Sequence, residues 1–143
     1  VYIGGFALDE GESVFDVVQK VPGGPVRLGD AMRSDGAGYF ELVDRDAIVD
    51  ALYASCPAAF VDAALARLDL QPIASFAQPA TGAPRRSIPS TYVRCRRDDA
   101  VHVDQQSVMA TRCSDQVDLD SDHSPFLSAV AELADVVESL ART

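Results

Sequence analysis

Pro89-Ser-Thr-Tyr-Val-Arg-Cys-Arg-Arg-Asp-Asp-Ala-Val101 and, further along, Gln116-Val-Asp-Leu-Asp-Ser-Asp-His-Ser-Pro-Phe126 decide how this chain folds. Tyr92-Val93-Arg94-Cys95 is aromatic and β-branched and predicts a strand, which closes on the acidic turn Asp98-Asp99. Val117 to Asp120 predicts a second strand, closing on a loop that carries His123. If the two strands lie parallel and adjacent, Asp98 and His123 leave the same edge of one sheet. Ligands and catalytic groups of open α/β sheets gather at that carboxyl edge. An acid holding a histidine there is the second half of a nucleophile–base–acid relay.

The 143 residues are the size of one domain and long enough to bury a core. With 48% hydrophobic and 24% charged residues the composition is that of a soluble globular protein. The net charge of −10 speaks against nucleic acid or an anionic membrane as partner, because both require a basic footprint. Cys56, Cys95 and Cys113 are widely spaced and predict reduced thiols in a cytoplasmic protein rather than a disulfide framework. No apolar run reaches the roughly 18–20 residues that span a bilayer. The chain opens on Val1 inside a strand already under way, so a fragment or a processed chain is expected.

Around the two strands the order is strand, helical insertion, strand, helix, strand, helix, which predicts an α/β fold with a parallel sheet. Val1 to Phe6 is the first strand, and Gly4-Gly5 its exit rather than a phosphate loop, since the Gly-x-Gly-x-x-Gly spacing is missing. Ser13 caps a short helix with Val14, Val17, Val18 and Val21 on one face, ended by Pro22-Gly23-Gly24-Pro25. From there to Gly38 the chain reads as loop. Helices are predicted over 46–55 and from Pro57 to about Leu68, with Phe60, Ala64 and Leu68 aligned. Asp104 is expected to cap a helix reaching about Arg112, with Val108 and Met109 inward. Ser128 is expected to cap the last helix, whose stripe of Val130, Leu133, Val136, Val137 and Leu140 would dock on the sheet. Arg85, Arg86, Arg94, Arg96 and Arg97 form a local basic cluster, read chiefly as solvated partners of nearby carboxylates.

Several stretches resemble α/β-hydrolases of the plant methylesterase and hydroxynitrile lyase type, in their bacterial esterase-like members. Val1 to Ser13 resembles the strand that follows the nucleophile in that family. Leu52-Tyr-Ala-Ser-Cys-Pro and Ala64-Leu-Ala-Arg-Leu-x-x-Gln-Pro-Ile are similar to its cap. Ile88-Pro-Ser-Thr-Tyr-Val-Arg-Cys-x-x-Asp is similar to the strand bearing its catalytic acid, and Asp122-His-Ser-Pro-Phe-Leu-Ser to the loop bearing its catalytic histidine. The resemblance implies the C-terminal part of an α/β-hydrolase fold: core strand and exit over 1–12, helical cap over 13–87, and core with acid and histidine loops over 88–143. It gives Asp98 the acid role, with Asp99 second choice, and His123 the base role. It implies a small ester as substrate, acyl transfer to water as reaction and no cofactor.

The Gly-x-Ser-x-Gly elbow and the oxyanion loop of the family are missing from these residues, so no nucleophile is assigned. Both are expected upstream of Val1, and the chain alone is expected to be inert toward esters. Lyases of the group carry a lysine after the histidine. Here that residue is Ser124, which favours hydrolysis over a lyase-like relative. A non-catalytic remnant that binds a small ligand under the cap stays open as the alternative. His102 reads as surface. Asp118-x-Asp120-x-Asp122 imitates the start of a calcium loop but has His123 and Ala129 where glycine and glutamate are needed, so no metal is expected. Phe40, Tyr53, Phe60 and Phe76 suggest a small, apolar acyl or alkyl group. Apolar sheet left uncovered would favour self-association, a homodimer included.

Overall fold

A computed structural model describes residues 1–21, 27–82 and 87–142, leaving aside the side chain of Arg27. In chain order the elements are β1 (Tyr2–Ile3), α1 (Val14–Lys20), α2 (Arg27–Ala31), β2 (Met32–Ser34), β3 (Tyr39–Leu42), α3 (Arg45–Leu52) and α4 (Ala58–Leu65). They are followed by β4 (Gln71–Pro72), α5 (Ala74–Ala77), β5 (Thr91–Cys95), α6 (Val103–Ala110), β6 (Asp115–Leu119), α7 (Pro125–Ser128) and α8 (Val130–Ala141).

β1, β5 and β6 form a parallel sheet with β5 in the middle, Tyr2 opposite Tyr92 and Val93 opposite Val117. Successive side chains of a strand point to opposite faces, and β5 uses both. Tyr92 packs with Val101 and Met109 of the α6 segment and with Ala7 and Val17. Val93 packs with Leu119, Ala129, Leu133 and Val136 on the α8 side. A sheet covered on both faces is the setting in which parallel strands persist. The α/β fold with a parallel sheet expected from the strand and helix order is therefore present.

Local signals explain several of the helix starts. Ser13 closes a capping box: its Oγ accepts the Asp16 N–H at 3.1 Å, while the Asp16 carboxylate accepts the Ser13 N–H at 3.0 Å. Asp44 Oδ1 accepts the N–H groups of Asp46 and Ala47 at 3.0 and 3.1 Å and starts α3. α3 and α4 then share a second core of Ile48, Ala51, Leu52, Tyr53 and Val61, which also takes in Ala31 and Ala100.

The structure departs from the sequence reading in definite places. The stretch read as loop up to Gly38 contains α2 and β2, and β2, β3 and β4 make a second, antiparallel sheet. Its hairpin turns at Asp35, whose Oδ1 accepts the N–H groups of Ala37 and Tyr39 at 2.7 and 2.9 Å. Gly36 and Gly38 there take φ of 77° and 103°, a region glycine enters without a Cβ penalty. α6 begins one residue before Asp104, because the His102 ring rather than Asp104 caps it, accepting the Asp104 N–H at 3.3 Å. Ser128 does not cap α8; it ends α7, and its hydroxyl goes to Asp122. Phe60 (54% exposed), Val108 (38%), Val130 (59%) and Val137 (45%) point outward, since the elements they sit on touch the core through narrower stripes than their periodicity suggests. The expected stop at Pro22–Pro25, and Arg85 and Arg86 of the basic cluster, lie outside the described residues. Among the described residues no helix is long and apolar enough to cross a membrane.

Candidate active site

β5 and β6 deliver Asp98 and His123 to one edge because their ladder continues past the strand ends. The Arg96 N–H donates to Leu119 O at 3.0 Å and the Arg97 N–H to Ser121 O at 2.9 Å, which holds the two loops side by side. Arg94 pairs with Asp118 at 2.6 Å and Arg97 with Asp120 at 3.4 Å, so these two arginines brace β6.

Asp98 is 2% exposed. Its Oδ1 accepts the N–H groups of Ala100 and Val101, both at 2.8 Å. Its Oδ2 lies 3.1 Å from Gln106 Nε2 and 2.9 Å from His123 Nδ1. A buried carboxylate is sustained only when such donors replace its water. An ionised carboxylate can only accept, so toward an Asp98 carboxylate the Nδ1–H is the donor of this contact and Nε2 is the ring nitrogen left for other partners. Asp99, beside it, is half-buried. His123 itself is half-buried, with 30% of its side chain exposed.

Three residues that sequence reasoning missed shape this pair. Gln106 is fully buried on α6, and its amide also reaches Val101 O at 2.7 Å and accepts the Cys95 N–H at 2.9 Å. The only signal for it was a polar residue on the inward face of a helix following the acid. Gly4, read as a plain strand exit, has φ of 52°, and a Cβ there would stand 3.2 Å from Asp98 Oδ2 and 3.3 Å from Cys95 Sγ. Glycine at this exit is thus what lets β1 approach the acid.

Asp122, next to His123, is the third. It is fully buried, and its carboxylate faces the turn between α3 and α4: Oδ2 accepts the Ser55 N–H at 2.7 Å and lies 3.5 Å from Cys56 Sγ. Oδ1 accepts the Ser124 N–H at 3.1 Å and the Ser128 hydroxyl at 2.6 Å. Burial, then the charge of Asp122, pushes the Cys56 thiol up to about 12. The Ser124 N–H and the Ser128 hydroxyl thus both serve Asp122. His102 stays at its cap on α6, 24% exposed.

His123 borders a cavity of about 540 Å³, together with Gly4, Gly5, Phe6, Val14, Phe15, Val18, Leu28, Gly29, Met32, Phe40, Phe76, Ala100 and Val101. The volume lies within the range typical of small-molecule sites. Of the aromatic residues singled out in the sequence, Phe40 and Phe76 line it, while Tyr53 and Phe60 line other depressions. Among the described residues no group of three or more histidine, cysteine or carboxylate side chains is arranged to hold a metal ion.

No family model matches the sequence. An α/β-hydrolase of Aspergillus novofumigatus (strain IBT 16806), nvfD, is 34% identical over 131 residues, covering 90% of this chain and 50% of that protein. The fold is shared with a pyrethroid hydrolase from Sphingobium faniae JZ-2, at TM-score 0.78 and 17% identity over 99% of this chain and 60% of that one. It is shared with polyneuridine aldehyde esterase, at TM-score 0.73 and 13% identity over 94% and 58%. The methylesterase MES16 of Arabidopsis matches at TM-score 0.69 and 19% identity over 99% and 58%. The chain thus spans about half the length of its curated relative and about three fifths of these solved structures. The chain therefore has the α/β-hydrolase fold, over a part that includes the paired loops of Asp98 and His123.

Proposed function

We propose that these residues supply the acid and the base of a serine-type ester hydrolase, with Asp98 as acid and His123 as base. The observation that carries this reading is the 2.9 Å contact between His123 Nδ1 and buried Asp98 Oδ2, beside a cavity that His123 also lines. In it, Nε2 takes the proton of a serine hydroxyl and later returns it to the leaving alcohol. Asp98 fixes the tautomer and stabilises the imidazolium. General base help of this kind is worth about 10²–10⁴ in rate. The relatives named as hydrolases and esterases support ester cleavage as the reaction class. Residues 13–87 serve as the cap over the site, 1–12 and 88–143 as the core beneath it.

The reading needs a nucleophilic serine and oxyanion donors, and neither is assigned to this chain. The 143 residues alone are therefore expected to release no p-nitrophenol from p-nitrophenyl acetate above a His123→Ala control. The positive test extends the chain by whatever its gene encodes ahead of Val1. If that adds a Gly-x-Ser-x-Gly turn, hydrolysis should appear, and Asp98→Asn should lower it by about 10³–10⁴ through the wrong tautomer. An extended chain that hydrolyses esters equally well with His123→Ala would end the proposal. An extension without such a turn would favour a small-ligand-binding protein. The lyase alternative is weakened by Ser124, which is 3% exposed and offers no cation beside His123.

A further inference from the structure

We infer that Gln106 is a positioning residue of the relay: its buried side-chain amide clamps the turn of Asp98 and holds Oδ2 where His123 Nδ1 meets it. This inference rests on the hydrolase reading for what the relay does, and on the contacts of one side chain for how the relay is held.

The clamp begins where β1 stops. Val93 O accepts the Gly4 N–H from β1 at 3.0 Å, whereas the Arg96 N–H turns to Leu119 of β6. Cys95, two residues after Val93, faces the β1 side again, but β1 ends at Ile3 and Gly4 turns the chain away with φ of 52°. The Gln106 amide takes the next rung in its place. Oε1 accepts the Cys95 N–H at 2.9 Å, and Nε2 lies 3.1 Å from Cys95 O. Pairing these buried backbone groups would by itself explain an amide here. A glutamine needed for that rung alone would stop there.

It reaches further. Nε2 also lies 2.7 Å from Val101 O and 3.1 Å from Asp98 Oδ2. All three oxygens belong to the turn that carries the acid. Cys95 O also accepts the Asp98 N–H at 3.3 Å, and the Val101 N–H donates to Asp98 Oδ1 at 2.8 Å. The amide takes one orientation only, because turned over it would set its oxygen against three others. Two hydrogens then serve three acceptors. Val101 O, the nearest, takes one. Of the two acceptors at equal distance, Cys95 O is neutral and already holds the Asp98 N–H, so the second hydrogen goes to the carboxylate. Oδ1 is fixed by two backbone N–H groups, while Oδ2 has Gln106 and His123. Without the amide, Oδ2 would be held by the very ring it has to orient. Gln106 is fully buried and does not line the cavity, so it acts on the reaction through Asp98.

Gln106→Met keeps the approximate volume and removes the amide. Gln105→Met is the matched control: Gln105 adjoins it on α6 and is 1% exposed, but its Nε2 donates to Val21 O at 3.4 Å. In ¹⁵N spectra recorded where the His123 ring is neutral, the parent and Gln105→Met should show the Nδ1–H tautomer. Gln106→Met should show a mixture with the Nε2–H form. In the protein extended as its gene encodes it, Gln106→Met should lower kcat for a p-nitrophenyl ester by roughly 10- to 100-fold and leave KM within about twofold, because a charge-assisted bond is lost outside the cavity. An unchanged tautomer or an unchanged kcat in Gln106→Met, or the same changes in Gln105→Met, would overturn the inference. Should Gln106→Met fail to fold, the unaltered protein still decides. Both Nε2 protons of Gln106 should exchange with water at least roughly 100-fold more slowly than those of exposed Gln116, and exchange at the exposed rate would overturn the inference as well. The tautomer is observed without turnover, which keeps the two readings separable. Hydrolysis lost in His123→Ala but intact in Gln106→Met would remove this inference and keep the hydrolase. An inert extended protein with the tautomer mixture in Gln106→Met would do the reverse.

Discussion

Replacing Asp122 by asparagine keeps the shape of a fully buried side chain and removes half of its acceptor capacity. The carboxylate accepts from four donors, two on each oxygen: Ser55 N–H and the Cys56 thiol on one, Ser124 N–H and the Ser128 hydroxyl on the other. A carboxamide has one acceptor oxygen. Whichever way it turns, one buried backbone N–H faces an NH₂ group. The Ser128 hydroxyl can turn to Ser124 O, already 3.2 Å away, so the amide oxygen should settle toward Ser55 and Cys56 and strand the Ser124 N–H. A hydrogen bond to a charged group contributes about 1.5–3 kcal/mol, and the surviving bonds weaken when the charge goes. Relief from burying an uncompensated anion returns part of this. The net loss should be about 2–3 kcal/mol, which for a chain of this length lowers Tm by roughly 7–10 °C. Thermal melts followed by circular dichroism read the global effect. Hydrogen exchange should show the Ser124 amide opening first. The Cys56 thiol, no longer facing the anion, should react faster with a disulfide reagent. Asp122→Asn within about 0.5 kcal/mol of the parent would refute the claim that this carboxylate ties the α3–α4 turn to the histidine loop.

Gly4→Ala forces φ of 52° on a residue with a Cβ, and that Cβ meets Asp98 Oδ2 at 3.2 Å and Cys95 Sγ at 3.3 Å. We expect a loss of about 2–3 kcal/mol and a shifted His123 ring signal in ¹⁵N NMR; an unchanged ring signal would mean that the acid does not depend on the bare backbone beside it. Glu12 is held by Arg112, at 2.5 Å to Nη1, and although burial raises its carboxyl, the Arg112 hydrogen bond and the Asp9 N–H hold it below its usual value of 4.5. A carboxyl lowered by folding stabilises above its unfolded value and loses that contribution as pH falls through the folded one. Urea midpoints should therefore fall more steeply with acid in the parent than in Glu12→Gln, and parallel curves would refute this.

The proximity of Asp98 and His123 was legible because each lies in the loop just after a run of strand-forming residues. Tyr92-Val93-Arg94-Cys95 and Val117-Asp118-Leu119 fixed the strands, and parallel pairing did the rest. The second sheet was not legible, because its turn, Ser34-Asp35-Gly36-Ala37-Gly38, sits in a glycine-rich run that hides a hairpin flanked by Met32 and Phe40. Sequence periodicity also overstated burial: on the α8 stripe Leu133 and Val136 pack on the sheet core, while Val130 and Val137 stand exposed. Phe15 was missed as a wall residue because its contacts with Phe40 and Phe76 cross three elements. Asp122 escaped for the same reason. Its partner Ser55 is 67 residues away, and no local pattern records such a contact.

That contact bears on how α3 and α4 can move. Asp122 and His123 are consecutive, yet one is bonded to the α3–α4 turn and the other to the acid of β5. Ala100, whose N–H holds Asp98, belongs to the same apolar core as Ile48, Leu52 and Val61. Swinging α3 and α4 away as a rigid lid would therefore break the Ser55–Asp122 bond and unpack the residue that donates to the acid. Buried charge-assisted bonds and close-packed cores do not yield a little at a time. Access to His123 should come instead from the aromatic side of the cavity, where Phe15, Phe40 and Phe76 are each only partly buried and their cluster holds no hydrogen bond to the acid or the histidine. The α3–α4 turn then acts as a fixed strut that keeps the histidine loop in register with Asp98, and the aromatic wall is the part free to adapt to a guest.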